Sequence, residues 1–156
     1  MIIYIGADHR GFKLKDDLAV FLKESGYEVG DVGNTVNDEN DDYNEFAEAV
    51  AEKVSKDYEN SKGVLICGSG AGTCIVANKF PKIRAVVAMT PDQAFDSKND
   101  NDSNVICFGA NYTSADEAKK ILVTWLGTPF SGEERHRRRV EKIRATENTA
   151  REKANF

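Results

Sequence analysis

Two patterns of apolar and polar positions alternate along the chain. Short apolar runs rich in β-branched residues predict five buried strands, at residues 2–6, 27–32, 64–67, 84–89 and 104–108. The segments that separate and follow them have helical periodicity or helix-capping residues, which predicts helices at 12–25, 43–58, 73–78, 91–99, 114–126 and 133–153. Strands that alternate with helices form parallel sheets covered on both faces. We therefore predict an α/β protein with a three-layer αβα, Rossmann-like fold, about five parallel strands and a long C-terminal helix.

Length and composition narrow the class of protein. The chain has 156 residues, of which 40% are hydrophobic and 30% are charged, and these values are typical of one folded domain. No internal repeat or linker interrupts it, so residues 1–156 are expected to form a single domain. The apolar runs are far shorter than the roughly 20 residues that a membrane helix needs, so no membrane partner is expected.

The three cysteines are Cys67, Cys74 and Cys107, an odd number without the paired spacing of a disulfide framework. They predict reduced thiols in a cytoplasmic protein. The spacing of Cys67 and Cys74 matches no zinc motif, and the chain has only two histidines. We therefore expect no metal site.

Charge is distributed unevenly. The formal net charge is −5, but residues 131–156 carry +3, which leaves −8 on residues 1–130. An acidic body argues against nucleic acid as the partner, whereas a local basic cluster suits one small anion such as phosphate. Arg135 and Arg139 share one face of the predicted last helix, where two guanidiniums can grip a phosphate. The alternative is that these arginines lie on a solvent-exposed helix face and form ion pairs with Glu133 and Glu134, which is more usual for a highly charged segment.

In parallel α/β sheets, ligands bind beyond the carboxyl ends of the strands. The residues in that position follow the first, third, fourth and fifth predicted strands: Asp8, His9, Arg10, residues 67–73, residues 90–92 and Asn111. Residues 67–73 read Cys-Gly-Ser-Gly-Ala-Gly-Thr and open a helix, so their backbone amides can converge on an anion. A tight structural turn is the alternative. The glycine spacing fits neither a dinucleotide fingerprint nor a P-loop.

Side chains at these strand ends are candidates for chemistry. Cys67 stands just before a helix N-terminus, a position that favours a nucleophilic or basic thiolate; the alternative is a buried, small apolar residue. Asp8 and His9 can orient hydroxyl groups and bind phosphate. For Asp8, capping the next turn is an equally good interpretation.

Taken together, these motifs resemble the type B ribose-5-phosphate isomerase family, which includes galactose-6-phosphate isomerase subunits. The similarity runs in order from residue 2 to about residue 145. Its motifs are Gly-Ala-Asp8-His9-Arg-Gly-Phe-Lys-Leu-Lys15, Asp42-Tyr43, Ile-Cys67-Gly-Ser-Gly-Ala-Gly72, Ala-Asn78-Lys79, Ile-Arg84-Ala, and Arg135-His136 with Arg139-Val.

The resemblance implies an aldose–ketose isomerase that interconverts ribose 5-phosphate and ribulose 5-phosphate through a cis-enediolate, with no metal and no cofactor. It also implies a homodimer whose sites combine residues from two subunits, and it leaves a tetramer open. The implied catalytic residues are Cys67 as base, Ser69 and Asp100. The implied substrate contacts are Asp8, His9, Tyr43, Gly68, Gly70, Ala71, Gly72 and Asn101, and the implied phosphate ligands are His9, Arg135 and Arg139.

The chain departs from the family pattern at two positions. Asp100 stands where the family has the histidine that opens the sugar ring, and a carboxyl group is a poorer proton donor at neutral pH than an imidazolium. Asn111 stands where the family often has a phosphate-binding arginine, and Arg10 is a candidate to supply that charge. Three interpretations remain: a ribose 5-phosphate isomerase, an isomerase of another sugar phosphate such as allose or galactose 6-phosphate, or a sugar-phosphate-binding protein with impaired turnover.

Overall fold

The fold is a five-stranded parallel sheet between two layers of helices, in a computed structural model that describes residues 1–154. The strands are β1 (Ile2–Ala7), β2 (Glu28–Asp31), β3 (Ser61–Cys67), β4 (Ala85–Val87) and β5 (Val105–Gly109). The helices are α1 (Phe12–Glu24), α2 (Tyr43–Lys56), α3 (Ala71–Ala77), α4 (Pro91–Asn101), α5 (Ala115–Gly127) and α6 (Glu134–Ala154). The predicted fold class is confirmed, including the long last helix.

Each face of the sheet has its own apolar core. On one face, α1, α4 and α5 bury side chains such as Leu18, Ala94 and Trp125 against β1, β3 and β5. On the other face, α2 and α3 bury Val50 and Ala77 among their core residues. Because the central strands are covered on both faces, their side chains are apolar at consecutive positions, which is why the sequence shows continuous apolar runs there.

The order of the strands is β2-β1-β3-β5-β4, so the chain leaves the centre of the sheet in one direction after β1 and in the other after β3. The carboxyl ends of these two adjacent strands therefore form the crevice in which α/β proteins bind ligands. The register pairs Ala7 with Ile66. Asp8 and Cys67, the residues that follow in each strand, consequently stand side by side at this edge.

Some element boundaries differ from the predicted ones because contacts outside the segment determine where the element begins or ends. β3 begins at Ser61, three residues before the predicted start, because residues 61–63 pair with β1 although they are not apolar. α4 continues to Asn101, so Asp100 is part of a helix. A capping box starts α5, since Ser114 and Glu117 exchange both hydrogen bonds there. Among the described helices, none has the length and apolar character that a membrane span requires.

Candidate active site

A cavity of about 270 Å³ opens at the carboxyl ends of β1 and β3. This cavity, which we call the cysteine pocket, is slightly smaller than the roughly 300–1,000 Å³ of most small-ligand sites. Its lining combines residues after β1, residues before α2 and the glycine-rich loop: Asp8, His9, Arg10, Asp41, Asp42, Tyr43, Cys67, Gly68, Ser69 and Gly72. The sequence predicted that most of these residues lie at the carboxyl edge of the sheet or contact the substrate. Asp41 was missed, and residues 90–92 lie elsewhere, with Thr90 capping α4.

Cys67 is the last residue of β3 and is only 4% exposed, yet it reaches the pocket wall. Its Sγ accepts a hydrogen bond from the backbone amide of Gly70 at 3.1 Å and lies 3.6 Å from the hydroxyl of Thr73. The same hydroxyl lies 3.2 Å from the carbonyl oxygen of Gly70, so the amide of Gly70 is the defined donor to the sulfur. This amide and the opening onto a polar cavity favour the chemical interpretation of Cys67 over that of a buried, space-filling residue.

Close packing fixes the glycine-rich loop. Gly70 has a φ of 79°, and a Cβ there would lie 2.9 Å from the carbonyl carbon of Phe108; both facts exclude a larger residue. A Cβ at Gly72 would lie 2.6 Å from the ring of Tyr43, so this glycine lets the tyrosine ring rest on the loop. Ser69 is exposed, and its Oγ accepts the amide of Ala71 at 3.2 Å.

His9 is held by Asp41 through two contacts to the same carboxylate oxygen. The backbone amide of His9 donates to Asp41 Oδ1 at 3.0 Å, and the imidazole Nδ1 lies 2.7 Å from that oxygen. The hydrogen bond to Asp41 raises the pKa of His9 above 6.5, against the opposing effect of burial and with help from the charges of Asp41 and Asp8. The fold therefore favours a protonated, cationic His9 in the pocket.

Asp41 lies in a run of acidic and amide residues, 37–42, that has no periodicity. Nothing in the sequence distinguishes it from its neighbours, because its selection depends on a contact across 32 positions of the chain. Asn34 adds a second tertiary contact by donating to the other carboxylate oxygen of Asp41. These contacts orient the carboxylate toward His9.

Asp8 is 5% exposed, and its carboxylate accepts the amide of Gly11 at 3.1 Å. It thus caps the turn into α1 and also lines the pocket, so both interpretations of this residue hold. Asp8, His9 and Asp41 are the described residues able to share a cation, because one ligand atom of each lies within 4.8 Å of the others. However, the carboxylate of Asp8 and the Nδ1 of His9 already have partners within the protein.

Other predicted residues do not line the cysteine pocket: Gly70, Ala71 and Asn111, which are close to it in the fold, and Asp100, Asn101, Arg135 and Arg139, which are not. α4 runs from the carboxyl end of β4 back to the amino end of β5. Asp100 and Asn101 therefore lie at the opposite edge of the sheet from Cys67. The five residues of β5 alone span roughly 13–16 Å, so no side-chain rotation joins these groups within one chain.

Asp100 and Asn101 lie on α4, and Arg135, His136 and Arg139 lie on α6. We call these residues the α4–α6 cluster, because Asp100 and His136 join the two helices. Asp100 Oδ1 lies 3.6 Å from His136 Nδ1, which also lies 2.7 Å from the hydroxyl of Ser131. His136 is buried, whereas the side chain of Asp100 is 44% exposed. Arg135 pairs with Glu133 at 2.9 Å, as the solvated-face interpretation expected.

A buried arginine fixes the end of α4. Arg84 donates to the backbone carbonyls of Asn101 and Asp102 at 3.0 and 2.8 Å, and to the carboxylate of Asp102 at 2.8 Å. It thereby satisfies carbonyl groups that a helix end leaves without partners. Arg84 thus holds in place the helix end that carries Asp100.

Known proteins resemble this chain over nearly its full length. The family model described as Ribose/Galactose Isomerase matches residues 3–143. Ribose-5-phosphate isomerase B of Escherichia coli (strain K12) is 45% identical over 145 residues, which cover 93% of this chain and 95% of that protein. A probable ribose-5-phosphate isomerase B of Mycoplasma genitalium is 37% identical over 141 residues, covering 90% and 92%.

Solved structures agree with this resemblance. Ribose-5-phosphate isomerase B from Mycoplasma genitalium with bound ribulose-5-phosphate superposes with a TM-score of 0.91 and 36% identity, covering 94% of this chain and 96% of that one. Ribose-5-Phosphate Isomerase B from Clostridium thermocellum superposes with a TM-score of 0.91 and 43% identity, covering 96% and 99%.

Proposed function

Because the chain belongs to the ribose/galactose isomerase family, we propose that it interconverts ribose 5-phosphate and ribulose 5-phosphate. The relatives that share 35–45% of its residues over most of their length are named for this reaction. The observation that carries the proposal is the position of Cys67, whose sulfur lines a polar pocket and accepts a hydrogen bond from the backbone amide of Gly70 in the glycine-rich loop.

Cys67 acts as the base. Once the sugar ring is open, the thiolate removes the proton from the carbon next to the carbonyl group. The electron pair of that C–H bond moves toward the carbonyl oxygen and produces a cis-enediolate. The same proton then returns to the neighbouring carbon, while a hydroxyl proton moves between the two oxygens, so the aldose becomes the ketose with no net loss or gain of atoms.

Backbone amides at the start of α3 stabilise the enediolate. The amides of the first turn of a helix have no acceptor within the helix. The amide of Ala71 already donates to Ser69 Oγ at 3.2 Å, which leaves the amides of Gly72 and Thr73 for this role. A preorganised donor to such a developing oxyanion contributes about 10²–10³-fold to the rate. Ser69, Gly68 and Gly72 line the pocket, and Asp8 and Tyr43 line it as contacts for sugar hydroxyls.

A complete site requires two subunits. Within one chain, the proposed base Cys67 and the residues that the family resemblance assigns to ring opening and phosphate binding belong to separate groups. Both groups of residues are partly exposed and lie at opposite edges of the sheet. A two-fold dimer brings the cluster of one chain to the pocket of the other, because such an interface is reciprocal. In this arrangement Arg135 and Arg139 of the partner grip the phosphate, Asn101 contacts the sugar and Asp100 opens the ring.

Asp100 has a neighbour suited to support that role. The imidazole of His136 lies 3.6 Å from its carboxylate and is shielded from solvent. At this distance the imidazole can orient the carboxylate, and at neutral pH a carboxylate accepts a proton from a sugar hydroxyl more readily than it donates one to the ring oxygen.

The cellular location proposed is the cytoplasm. Its support is chemical: Cys67, Cys74 and Cys107 are all free thiols, and cysteines persist in the reduced state in that compartment.

Coupled assays with ribose 5-phosphate, ribulose 5-phosphate, allose 6-phosphate and galactose 6-phosphate test the function. We expect the two pentose phosphates to be interconverted fastest. In the same assay, Cys67→Ala should lower kcat by at least about 10²-fold, the usual contribution of a catalytic base, and should still bind substrate. Cys74→Ala is the matched control, because that thiol does not line the pocket, and it should retain activity within about twofold.

Two results decide between the alternatives. Faster turnover of a hexose phosphate would assign the chain to another substrate of the same family. If no sugar phosphate is turned over while ribose 5-phosphate still raises the melting temperature, the protein is a binder and the isomerase proposal is wrong.

A further inference from the structure

Arg10 is a cation of the cysteine pocket that has no counter-ion. Its side chain is exposed and lines the cavity together with Cys67 and Gly68. Among residues 1–154, no carboxylate forms an ion pair with its guanidinium and no acceptor binds it. Neighbouring cations behave differently: Lys15, for instance, is tied to Asp31 at 2.6 Å. Arg10 therefore keeps all five of its N–H donors available.

The other charges of the pocket make this free cation necessary for an anionic ligand. Asp8, Asp41 and Asp42 line the cavity and repel a phosphate. His9 offers a positive charge, but its imidazole is already engaged with Asp41 at 2.7 Å. Arg10 is thus the one uncompensated positive charge that this chain's described residues bring to their own pocket.

The position of Arg10 is defined by Gly68. A Cβ on Gly68 would lie 2.9 Å from Arg10 Cδ and 3.3 Å from Arg10 Nη1, so the arginine lies directly across the glycine-rich loop. The same Cβ would lie 3.2 Å from the side-chain nitrogen of Asn111. Two side chains from different strand ends, after β1 and after β5, therefore converge on one point of the loop.

We propose that Arg10 binds the phosphate group of the substrate from the same subunit that supplies Cys67. This inference rests on the proposed isomerase function. A guanidinium can donate two parallel hydrogen bonds to phosphate oxygens, and Arg10 adjoins His9, the second cation of this wall. The phosphate end of the sugar therefore lies against residues 9 and 10, and the carbonyl end lies toward Cys67.

Kinetics of Arg10→Met test the assignment. This variant keeps the apolar part of the side chain on Gly68 but removes the donors. We expect the KM for ribose 5-phosphate to rise about 10- to 100-fold, the effect of losing hydrogen bonds to a charged group, while kcat falls much less. Arg10→Lys, which supplies one point charge in place of the fork, should give an intermediate KM.

Lys13→Met is the matched control. It removes one positive charge three residues further on, from an exposed lysine that lines the neighbouring cavity and not the cysteine pocket. Its KM should stay within about twofold of the original value. A loss of general electrostatic attraction would instead affect both variants alike.

A second-site rescue separates binding from packing. Asn111 reaches the same point on Gly68 as Arg10 does, so Asn111→Arg should lower the raised KM of Arg10→Met. A purely structural role for Arg10 predicts no rescue, because the new arginine would restore the charge without restoring the side chain on the loop.

Inorganic phosphate supplies a measurement that does not require turnover. It should raise the melting temperature of the unaltered protein and raise that of Arg10→Met clearly less, because His9, Arg135 and Arg139 remain in the variant. If the unaltered protein isomerises ribose 5-phosphate and Arg10→Met keeps its KM within twofold, the role of Arg10 is wrong and the isomerase function stands. If no turnover occurs, equal phosphate protection of both proteins overturns the role of Arg10 independently.

Discussion

The carboxylate of Asp41 governs the charge of His9. Its hydrogen bond to Nδ1 raises the pKa of the imidazole, so Asp41→Asn should return that pKa toward 6.5. An NMR titration of the two imidazoles measures this shift. The resonance of His136, which has no contact with Asp41, is the internal control and should be the same in both proteins.

The same pair makes stability depend on pH in a defined direction. Because the folded state raises the pKa of His9, the stabilisation is fully present below the unfolded value near 6.5 and is lost as pH rises through the folded value. Asp41→Asn should therefore destabilise the protein more at pH 5.5 than at pH 8.5 in urea titrations. An equal loss at both values would mean that Asp41 acts only through the backbone amide of His9.

At the level of elements, the end of α4 depends on Arg84. Its guanidinium is 7% exposed and satisfies two backbone carbonyls and one carboxylate. Arg84→Met should lower the free energy of unfolding by about 2–4 kcal/mol, since it leaves buried acceptors without donors. Denaturant unfolding measures this, and kcat should also fall because Asp100 loses its fixed position.

Arg138→Met is the control for that substitution. Arg138 makes an exposed pair with Glu134 at 3.3 Å, and losing such a pair costs about 0–1 kcal/mol. A comparable loss of stability in both variants would contradict the view that Arg84 acts through buried carbonyls.

The elements also show what a sequence can and cannot predict here. That Asp8 and Cys67 lie at the same edge was predictable, because parallel strands bring their carboxyl ends to one edge whatever their order, whereas their proximity follows from the pairing of β1 with β3. Asp41 was not, because a long polar loop has no periodicity and its selection depends on distant partners. The separation of Asp100 from Cys67 required the direction of α4, which begins at the carboxyl edge of the sheet and ends at the opposite one.

At the scale of the whole molecule, the separation of the cysteine pocket from the α4–α6 cluster predicts that each active site is shared between two subunits. If the site is shared, a heterodimer of Cys67→Ala with Arg139→Ala contains one site with both substitutions and one with neither. Such heterodimers, isolated through two different affinity tags, should recover roughly half of the original activity, because two-fold symmetry provides two equivalent sites. Each variant alone should be inactive or nearly so.

The control heterodimer combines Cys67→Ala with His9→Ala. Both residues belong to the cysteine pocket, so every site of this heterodimer carries one substitution and activity should not return. Recovery in the first heterodimer and not in the second requires Arg139 to act across the subunit boundary. No recovery in either heterodimer would mean that Cys67 and Arg139 of one subunit act in the same active site. The separation of the α4–α6 cluster from the pocket would then have to be closed by a rearrangement of α4 and α6.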